Sequence, residues 1–195
     1  MEAKPTLILD ATRPDDPAAA GLLRALADML KQSRSRVLIL RPGDMKIAPC
    51  RACFDCWLKT PGLCAVDDDG KTVSRALARA GRLVFFTPIV FGTYSPEIKN
   101  AVERSIGVLL PTFRKRHGET HHPVRYPMAP DLIGVGFTDR PDAEAAEIFR
   151  RHLTRNALNF DSRSIAAVVV SRDRPLEEGL KELARSLENM QEVGA

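Results

Sequence analysis

The residues with the greatest chemical potential in this chain are its four cysteines, which fall within fifteen positions. Cys50, Cys53 and Cys56 follow a Cys-x-x-Cys-x-x-Cys spacing, and Cys64 lies beyond a Pro-Gly turn. Three thiolates at this spacing fit one face of a cubane iron–sulfur cluster, and a fourth can close it. The spacing therefore predicts a 4Fe-4S cluster and makes electron transfer the first hypothesis for function.

Two other states of these cysteines stay open. Zinc also binds four thiolates, although its sites usually pair two separated Cys-x-x-Cys units rather than three equally spaced cysteines. Alternatively, all four thiols are reduced and free of metal. Disulfides are disfavoured, because residues 1–6 show no charged segment followed by the apolar stretch of a secretory signal.

Length and composition predict a single domain over residues 1–195, because 44% hydrophobic content is enough for one buried core. No apolar run approaches the ~20 residues of a membrane span, so we expect a cytoplasmic protein without a membrane partner. The net charge of +4 is spread over separate arginines rather than packed into one stripe. Nucleic-acid binding is therefore not supported.

The elements that must position the cysteines alternate between two patterns. Short, nearly continuous apolar runs are typical of parallel strands buried on both faces, and they are Thr6–Leu9, Arg36–Leu40, Arg82–Thr87, Asp131–Phe137 and Ser164–Val170. Stretches with helical spacing of apolar residues lie between and after them, at Ala18–Gln32, Thr72–Ala80, Ser95–Leu110, Asp142–Asn159 and Leu176–Met190.

This alternation predicts an α/β fold of three layers, a doubly wound, flavodoxin-like, five-stranded parallel sheet with helices on both faces. The cysteine loop, residues 45–70, then follows the second strand. Ligands of such sheets bind beyond the carboxyl ends of the strands, where the strand order reverses. We therefore expect the loops at residues 10–17 and 87–94 to form the binding crevice.

Residues 111–130 form a long insertion before the fourth predicted strand, and its four prolines exclude a regular helix through most of it. Its basic side chains could meet an anionic substrate or a redox partner, or simply be solvated, and they are Arg114, Lys115, Arg116 and Arg125. A metal site among His117, His121 and His122 is a weaker alternative. The apolar residues of the insertion predict a contact with another subunit.

Several residues resemble one known family. The four cysteines, the pair Asp68-Asp69, the strand end Thr87-Pro88 and the run from Phe91-Gly92 through Ser95 and Lys99 to Arg104 look like the iron–sulfur flavoprotein branch of the NADPH-dependent FMN reductase superfamily. The resemblance implies a dimeric or tetrameric flavodoxin-like oxidoreductase with FMN and a 4Fe-4S cluster. It implies FMN contacts from Thr12, Arg13, Thr87, Pro88, Val90, Phe91, Gly92 and Thr93. It implies NAD(P)H or ferredoxin as the redox partner.

The first loop departs from that family. Its members usually follow the first strand with Gly-Ser-x-Arg and small hydroxyl residues that hold the FMN phosphate. Here the stretch from Asp10 to Ala18 contains two prolines, which lack N–H donors, and three carboxylates, which repel a phosphate. Val90 also replaces an expected aromatic neighbour of the flavin. We therefore predict that any FMN is held weakly.

Two functions follow from the sequence. The first is a flavodoxin-like oxidoreductase or electron-transfer protein that uses the Cys-ligated cluster together with FMN. The second is a non-catalytic family member with a degenerate FMN site and a structural cluster or zinc ion, acting as a subunit of a larger assembly. Motifs for a Rossmann dinucleotide site, a P-loop or a hydrolase nucleophile elbow are absent from the sequence.

Overall fold

A central sheet organises the molecule in a computed structural model that describes residues 5–32, 35–127 and 129–193. Its strands are β1 (Thr6–Asp10), β2 (Val37–Leu40), β3 (Arg82–Pro88), β6 (Asp131–Thr138), β7 (Ser164–Ser171) and β8 (Gln191–Glu192), while β4 (Arg114–Arg116) and β5 (Glu119–His121) form a separate hairpin. The order in the sheet is β2-β1-β3-β6-β7-β8. All neighbours run parallel except β8, which pairs antiparallel with β7.

Five helices cover the two faces of this sheet, and they are α1 (Pro17–Gln32), α3 (Gly70–Leu77), α4 (Pro96–Arg104), α5 (Ala143–Asn159) and α6 (Leu176–Glu188), while the single turn α2 (Asp55–Leu58) lies in the cysteine loop. On one face, Ile8 packs in a core with Leu22 of α1 and Leu183 of α6. On the other face, Leu7 and Leu9 belong to a second core built with α3, α4 and α5. None of the helices in the described segments is both long and apolar enough to cross a membrane.

The predicted three-layer parallel fold is confirmed, and each of the five predicted strands ends within one residue of its predicted bounds. Two details differ. The short strand β8 adds a sixth member to the sheet. The prediction that β2 is buried on both faces was wrong, because β2 lies at the sheet edge and leaves Leu38 47% and Ile39 40% exposed.

The helix predicted to run to Leu110 ends earlier, at Arg104. Ser105 donates its hydroxyl to the carbonyl oxygen of Ala101, a bond that competes with regular helical pairing. The chain then makes a short 3-10 turn, Ile106–Val108. In that turn a Cβ on Gly107 would lie 3.2 Å from the Cβ of Cys56, so glycine permits the close approach of the turn to the cysteine loop.

The insertion packs against its own chain through its basic residues. Arg114 and Arg116 both pair with Asp161, the latter at 2.7 Å, just beyond the end of α5. Arg125 donates to two backbone carbonyls of the 3-10 region. Lys115 alone of the four predicted anion contacts is exposed without such an anchor in the described residues. Arg114, Arg116 and Arg125 therefore have partners within the fold, and an anionic ligand for this segment stays a prediction.

Candidate functional site

The loop of the four cysteines is tied at both ends to the third and fourth helices. Asp69 accepts a hydrogen bond from the N–H of Lys46 at 2.8 Å, and Asp68 accepts one from the N–H of Ala48 at 2.9 Å. From α4, Asn100 donates its side-chain amide to the carbonyl of Ile47 at 2.7 Å. These contacts bring residues 46–48, just before the first cysteine, against residues 68–69, just after the last.

A buried ion pair completes this closure. Arg104 holds both oxygens of Asp68, at 2.7 and 2.8 Å, with 1% and 12% of the two side chains exposed. Arg104 also donates to the carbonyl of Ala48. Burial alone would raise the pKa of Asp68, but the hydrogen bonds from Arg104, Ala48 and Gly70 lower it. The carboxylate is therefore ionised at neutral pH and fixed in a bidentate pair.

The four thiols are brought into one neighbourhood by this closure. Cys50 and Cys53 are exposed, Cys64 is half-buried, and Cys56 is buried. Burial raises the pKa of the Cys56 thiol, and the charges of Cys64, Cys50 and Cys53 raise it further. One of the four thiols is therefore buried, while Cys50 and Cys53 are open to solvent.

Arg104 also reaches this neighbourhood. Burial alone would lower its pKa, but its contacts with Asp68 and with the sulfur of Cys64 raise it. Across residues 5–32, 35–127 and 129–193, no group of three or more Cys, His, Asp or Glu side chains is placed to hold a metal ion. The chain thus places a guanidinium beside Cys64 in the loop of four thiols, without a preformed single-ion site among the described residues.

The backbone of the cysteine loop uses conformations that L-residues adopt rarely. Ala52 and Phe54, the two neighbours of Cys53 in the sequence, have φ angles of 51° and 58°. Left-handed residues turn successive N–H groups towards one side of a loop, the arrangement that forms anion-binding concavities around iron–sulfur clusters. This local strain could not be read from the sequence, because neither alanine nor phenylalanine favours it.

A row of rings runs from the cysteine loop to the insertion. Phe54 stacks on Trp57, with centroids 5.4 Å apart, and Trp57 packs on His122 at 4.9 Å. His122 in turn contacts Phe113 at 4.7 Å. The indole Nε1 of Trp57 donates to the carbonyl oxygen of Leu109 at 3.0 Å.

This row carries exposed apolar surface. Phe54 is 46% exposed and Phe113 69%, and beside them Leu58 is 75% and Leu63 45% exposed. We call these four residues the apolar rim of the cysteine loop. Phe54, Leu58 and Leu63 belong to the cysteine loop, and the row of rings connects Phe113 to it.

The histidines of the insertion are used within the fold. His121 contacts Asn159 at 3.2 Å and Glu119 at 2.9 Å, while Arg155 holds Glu119 at 2.6 and 2.7 Å. These partners lower the pKa of Glu119 to about 2, the pair with Arg155 contributing most. His121 therefore helps to attach the hairpin to α5, and the metal-site alternative for these histidines gains no support.

The first loop of the predicted crevice satisfies its own polar groups. Asp10, 1% exposed at the end of β1, accepts hydrogen bonds from the N–H and the hydroxyl of Thr12 at 2.9 and 2.6 Å. Arg41 lies 3.5 Å from Asp10 and donates to the carbonyl of Thr12 at 2.6 Å. Arg13, the other residue expected to bind phosphate, pairs with Asp15 on the surface.

The start of α1 is also occupied by the protein itself. Asp16 accepts a hydrogen bond from the N–H of Ala19 at 2.9 Å, the usual bond of a helix cap. Its second oxygen binds the Nε of Arg172 at 2.7 Å. Arg172 follows β7, and its guanidinium lies 5.3 Å from the ring centre of Phe137 and 3.2 Å from Asp139. The residues at this helix start therefore do not fit a flavin phosphate.

The second crevice loop is shaped by a tight turn after β3. Thr87 is fully buried, and its hydroxyl donates to the carbonyl of Pro88 and accepts from the N–H of Ser95 at 2.9 Å. Val90 and Thr93 exchange two backbone hydrogen bonds around Phe91 and Gly92, whose φ angles are 49° and 75°.

The tip of this turn combines an exposed side chain with a tightly packed glycine. The side chain of Phe91 is 99% exposed, while Gly92 is held so closely over Ile148 of α5 that a Cβ would come within 2.5 Å. The hydroxyls of Thr93 and, at the end of β6, Thr138 are buried without a hydrogen-bond partner among the described residues. The predicted flavin contacts of this segment thus lie together at the end of β3 and in the turn that follows it, and they are Thr87, Pro88, Val90, Phe91, Gly92 and Thr93.

Sequence reasoning missed one polar cluster behind this loop. Tyr94, 4% exposed, accepts a hydrogen bond from Asn156 at 2.8 Å and lies 3.2 Å from the Nε2 of His152. Burial raises the pKa of Tyr94 to about 12. Burial also lowers the pKa of His152, and the charge of Lys99 lowers it further. The helical spacing of His152 and Asn156 was the only signal in the sequence that they share a face.

Known structures reproduce this fold with little sequence identity. An NAD(P)H:quinone oxidoreductase from Methanothermobacter marburgensis superposes with a TM-score of 0.71 at 12% identity, covering 96% of this chain and 98% of that one. An FMN-dependent NADH-azoreductase from Bacillus anthracis in complex with FMN gives a TM-score of 0.69 at 10% identity, covering 95% and 98%. Similarity at this level shows the flavodoxin-like fold.

Sequence comparison identifies the family. An iron–sulfur flavoprotein from Archaeoglobus fulgidus is 30% identical over 96 residues, which are 49% of this chain and 46% of the relative. The match therefore spans about half the length of that curated relative. The family model of the NADPH-dependent FMN reductases matches residues 13–119, more than half of the chain. This match, together with the parallel sheet and the crevice loops, shows that the chain belongs to the NADPH-dependent FMN reductase family.

Proposed function

We propose that this chain is a redox protein of the flavin reductase family in which Cys50, Cys53, Cys56 and Cys64 hold a 4Fe-4S cluster. The observation that carries the proposal is the set of four cysteines within fifteen residues of one loop, whose two ends are held together by the buried Asp68–Arg104 pair. A bound cluster of this type supplies one-electron transfer.

The chemistry of the donor set supports this assignment. Four thiolates in one loop repel one another, and burial followed by the charges of the other cysteines raises the pKa of Cys56. Iron would relieve the repulsion, because its positive charge offsets the negative charge of the thiolates that it coordinates. A cubane takes one thiolate for each iron, so its ligands surround a body of several atoms instead of meeting at a single ion. Arg104, beside Cys64, would partly offset the negative charge of the ligated loop.

Zinc and a metal-free state are the competing assignments, and metal analysis separates them. We expect anaerobically purified protein to be brown and to contain iron and acid-labile sulfide in a ratio near one. Cys53→Ala should abolish both, because three thiolates seldom hold a cubane. Arg51→Ala, an exposed neighbour in the same loop, is the control and should keep them. Four freely titratable thiols in metal-free wild-type protein would refute the proposal, and stoichiometric zinc would replace it.

The same proposal includes a flavin as the second redox group, with NAD(P)H or a ferredoxin-type protein as the external partner. Support comes from the family match and from the loop at residues 87–94, which exposes Phe91 and leaves the buried hydroxyl of Thr93 without a hydrogen-bond partner among the described residues. The loops that should hold a phosphate are filled by Asp10 and Asp16. We therefore expect the flavin to be lost on extended dialysis.

The alternative function is a non-catalytic subunit in which the metal centre is structural. The closed phosphate loop favours it, because a protein without a flavin needs no phosphate contacts. Absorption spectra decide between the two. A flavin band that develops when flavin is added, and bleaches with NAD(P)H, supports the oxidoreductase; a brown protein that takes up no flavin supports the structural subunit.

We also propose that the chain forms a homo-oligomer, a dimer or tetramer, through the apolar rim of the cysteine loop. Burying the rim would remove Leu58 and Phe113, the two most exposed of its members, from water. A cytoplasmic location is part of the proposal, since a reducing compartment keeps the four thiols available to iron.

A further inference from the structure

The start of α1 is the place in this fold where the phosphate of a flavin nucleotide would bind. The helix is 16 residues long and follows β1, at the carboxyl edge of the sheet. Free N–H groups in the first turn of such a helix, together with its dipole, bind phosphate in α/β proteins. The first turn of α1 must therefore be open if the crevice is to recognise that group.

In this chain the first turn is closed by Asp16. Its carboxylate takes the N–H of Ala19 at 2.9 Å and the Nε of Arg172 at 2.7 Å, and only 10% of its side chain is exposed. Burial alone would raise the pKa of Asp16, but hydrogen bonds from Ala19, Arg172 and Ala18 lower it. A negative charge thus stands where the phosphate would have to bind.

Several other donors of the loop are engaged or missing. Asp10 takes both the N–H and the hydroxyl of Thr12. Pro14 and Pro17 have no N–H to offer. Arg172 is the only cation in direct contact with Asp16 among the described residues, and it is shared with Asp139. A phosphate would have to displace an ionised carboxylate from two strong partners at once.

We propose that Asp16 is a specificity-determining residue that excludes the phosphate of a flavin nucleotide, so the crevice binds flavin through its ring system alone and accepts riboflavin as well as FMN. This inference rests on the flavin crevice of the proposed function. Beyond weak binding of FMN, the proposal identifies Asp16 as the residue responsible. The class of ligand whose affinity Asp16 does not reduce is an unphosphorylated isoalloxazine.

Three variants test the inference. Asp16→Ser removes the charge but keeps a good helix cap, so α1 should remain folded. Asp15→Ser is the matched control, because it removes the same charge from an exposed neighbour whose carboxylate is 70% exposed. Asp16→Ser combined with Arg172→Gln removes the cation that the first variant frees. Each protein is titrated with riboflavin and FMN by flavin fluorescence, and with inorganic phosphate by the amide resonances of Ala18 and Ala19.

The wild type and Asp15→Ser should bind riboflavin and FMN with equal affinity and show no saturable amide shift with phosphate. Asp16→Ser should favour FMN by about tenfold and show saturable shifts, because a charge-assisted hydrogen bond and two N–H groups become available. The double variant should lose most of that preference.

The contrary results distinguish failure of this inference from failure of the flavin part of the proposed function. Preference of the wild type for FMN, saturable phosphate shifts in the wild type, or no phosphate response in Asp16→Ser would overturn the inference. If no variant binds either flavin while Asp16→Ser alone binds phosphate, the closure by Asp16 stands and the flavin part of the proposed function fails.

Discussion

Replacing Arg104 by methionine should strongly destabilise the protein and release the cysteine loop. The substitution keeps a long apolar stem but removes a guanidinium that is 1% exposed in its side chain. It leaves the carboxylate of Asp68, 12% exposed, without its cation, and it leaves the carbonyl of Ala48 without its donor. Two anchors of the loop are therefore lost in one step.

The expected cost follows from burial. Removing one partner of a buried ion pair costs about 3–5 kcal/mol of unfolding free energy, because an uncompensated charge remains. We expect the lower part of this range, since the N–H groups of Ala48 and Gly70 still hold Asp68. Asp68→Asn in the same background removes the stranded charge and should recover about 1–2 kcal/mol.

The pH dependence has a defined sign. Because the pKa of Asp68 is lowered in the fold, its pair contributes stability that is complete above the unfolded-state pKa and is lost as pH falls through the folded-state pKa. The cost of Arg104→Met should therefore be largest at neutral pH. It should shrink near pH 4, about the ordinary pKa of aspartate, where protonation begins to remove the unpaired charge.

Urea denaturation under reducing, anaerobic conditions measures these differences, and hydrogen exchange at residues 46–70 reports the loop. Lys99→Met is the matched control, because it removes a cation from the same helix but from an exposed pair with Glu103. That control should cost under about 1 kcal/mol. A cost for Arg104→Met as small as that of the control, or one that grows at acid pH, would refute the reasoning.

The remaining predictions concern the core and the surface. The pKa of Tyr94 is raised in the fold to about 12, so the protein should lose stability as pH rises from the tyrosine pKa of the unfolded chain through 12. Tyr94→Phe should show no such loss of stability at alkaline pH in its denaturation midpoints. Gly134→Ala should cost about 1–3 kcal/mol by thermal or urea unfolding, because its Cβ would lie 2.5 Å from a buried leucine, whereas Gly43→Ala, with 3.7 Å to its nearest neighbour, should be tolerated. Leu58→Ser with Phe113→Ser should shift sedimentation towards the monomer without unfolding, and an unchanged oligomer would exclude the apolar rim as the interface.

The sequence by itself determined the architecture. Continuous apolar runs such as Arg82–Thr87 can be buried only between two layers of helices, so their alternation with amphipathic stretches is nearly sufficient for a parallel three-layer sheet. It also placed the four thiols in one loop, since Cys50 to Cys64 all fall between the predicted second strand, Arg36–Leu40, and the predicted helix Thr72–Ala80. The acids of the first loop were visible as a conflict with phosphate binding.

The tertiary structure decided which residues act together. Asp16 and Arg172 are 156 positions apart, and Asp68 and Arg104 are 36 apart. Local spacing carries no information about such pairs, because they form only when strand order brings loops and helix ends together. β2 is likewise partly exposed because it lies at the edge of the sheet, although its sequence resembles that of the buried strands. Pairing partners and sheet edges are properties of the assembled fold, and the sequence pattern of a single element cannot fix them.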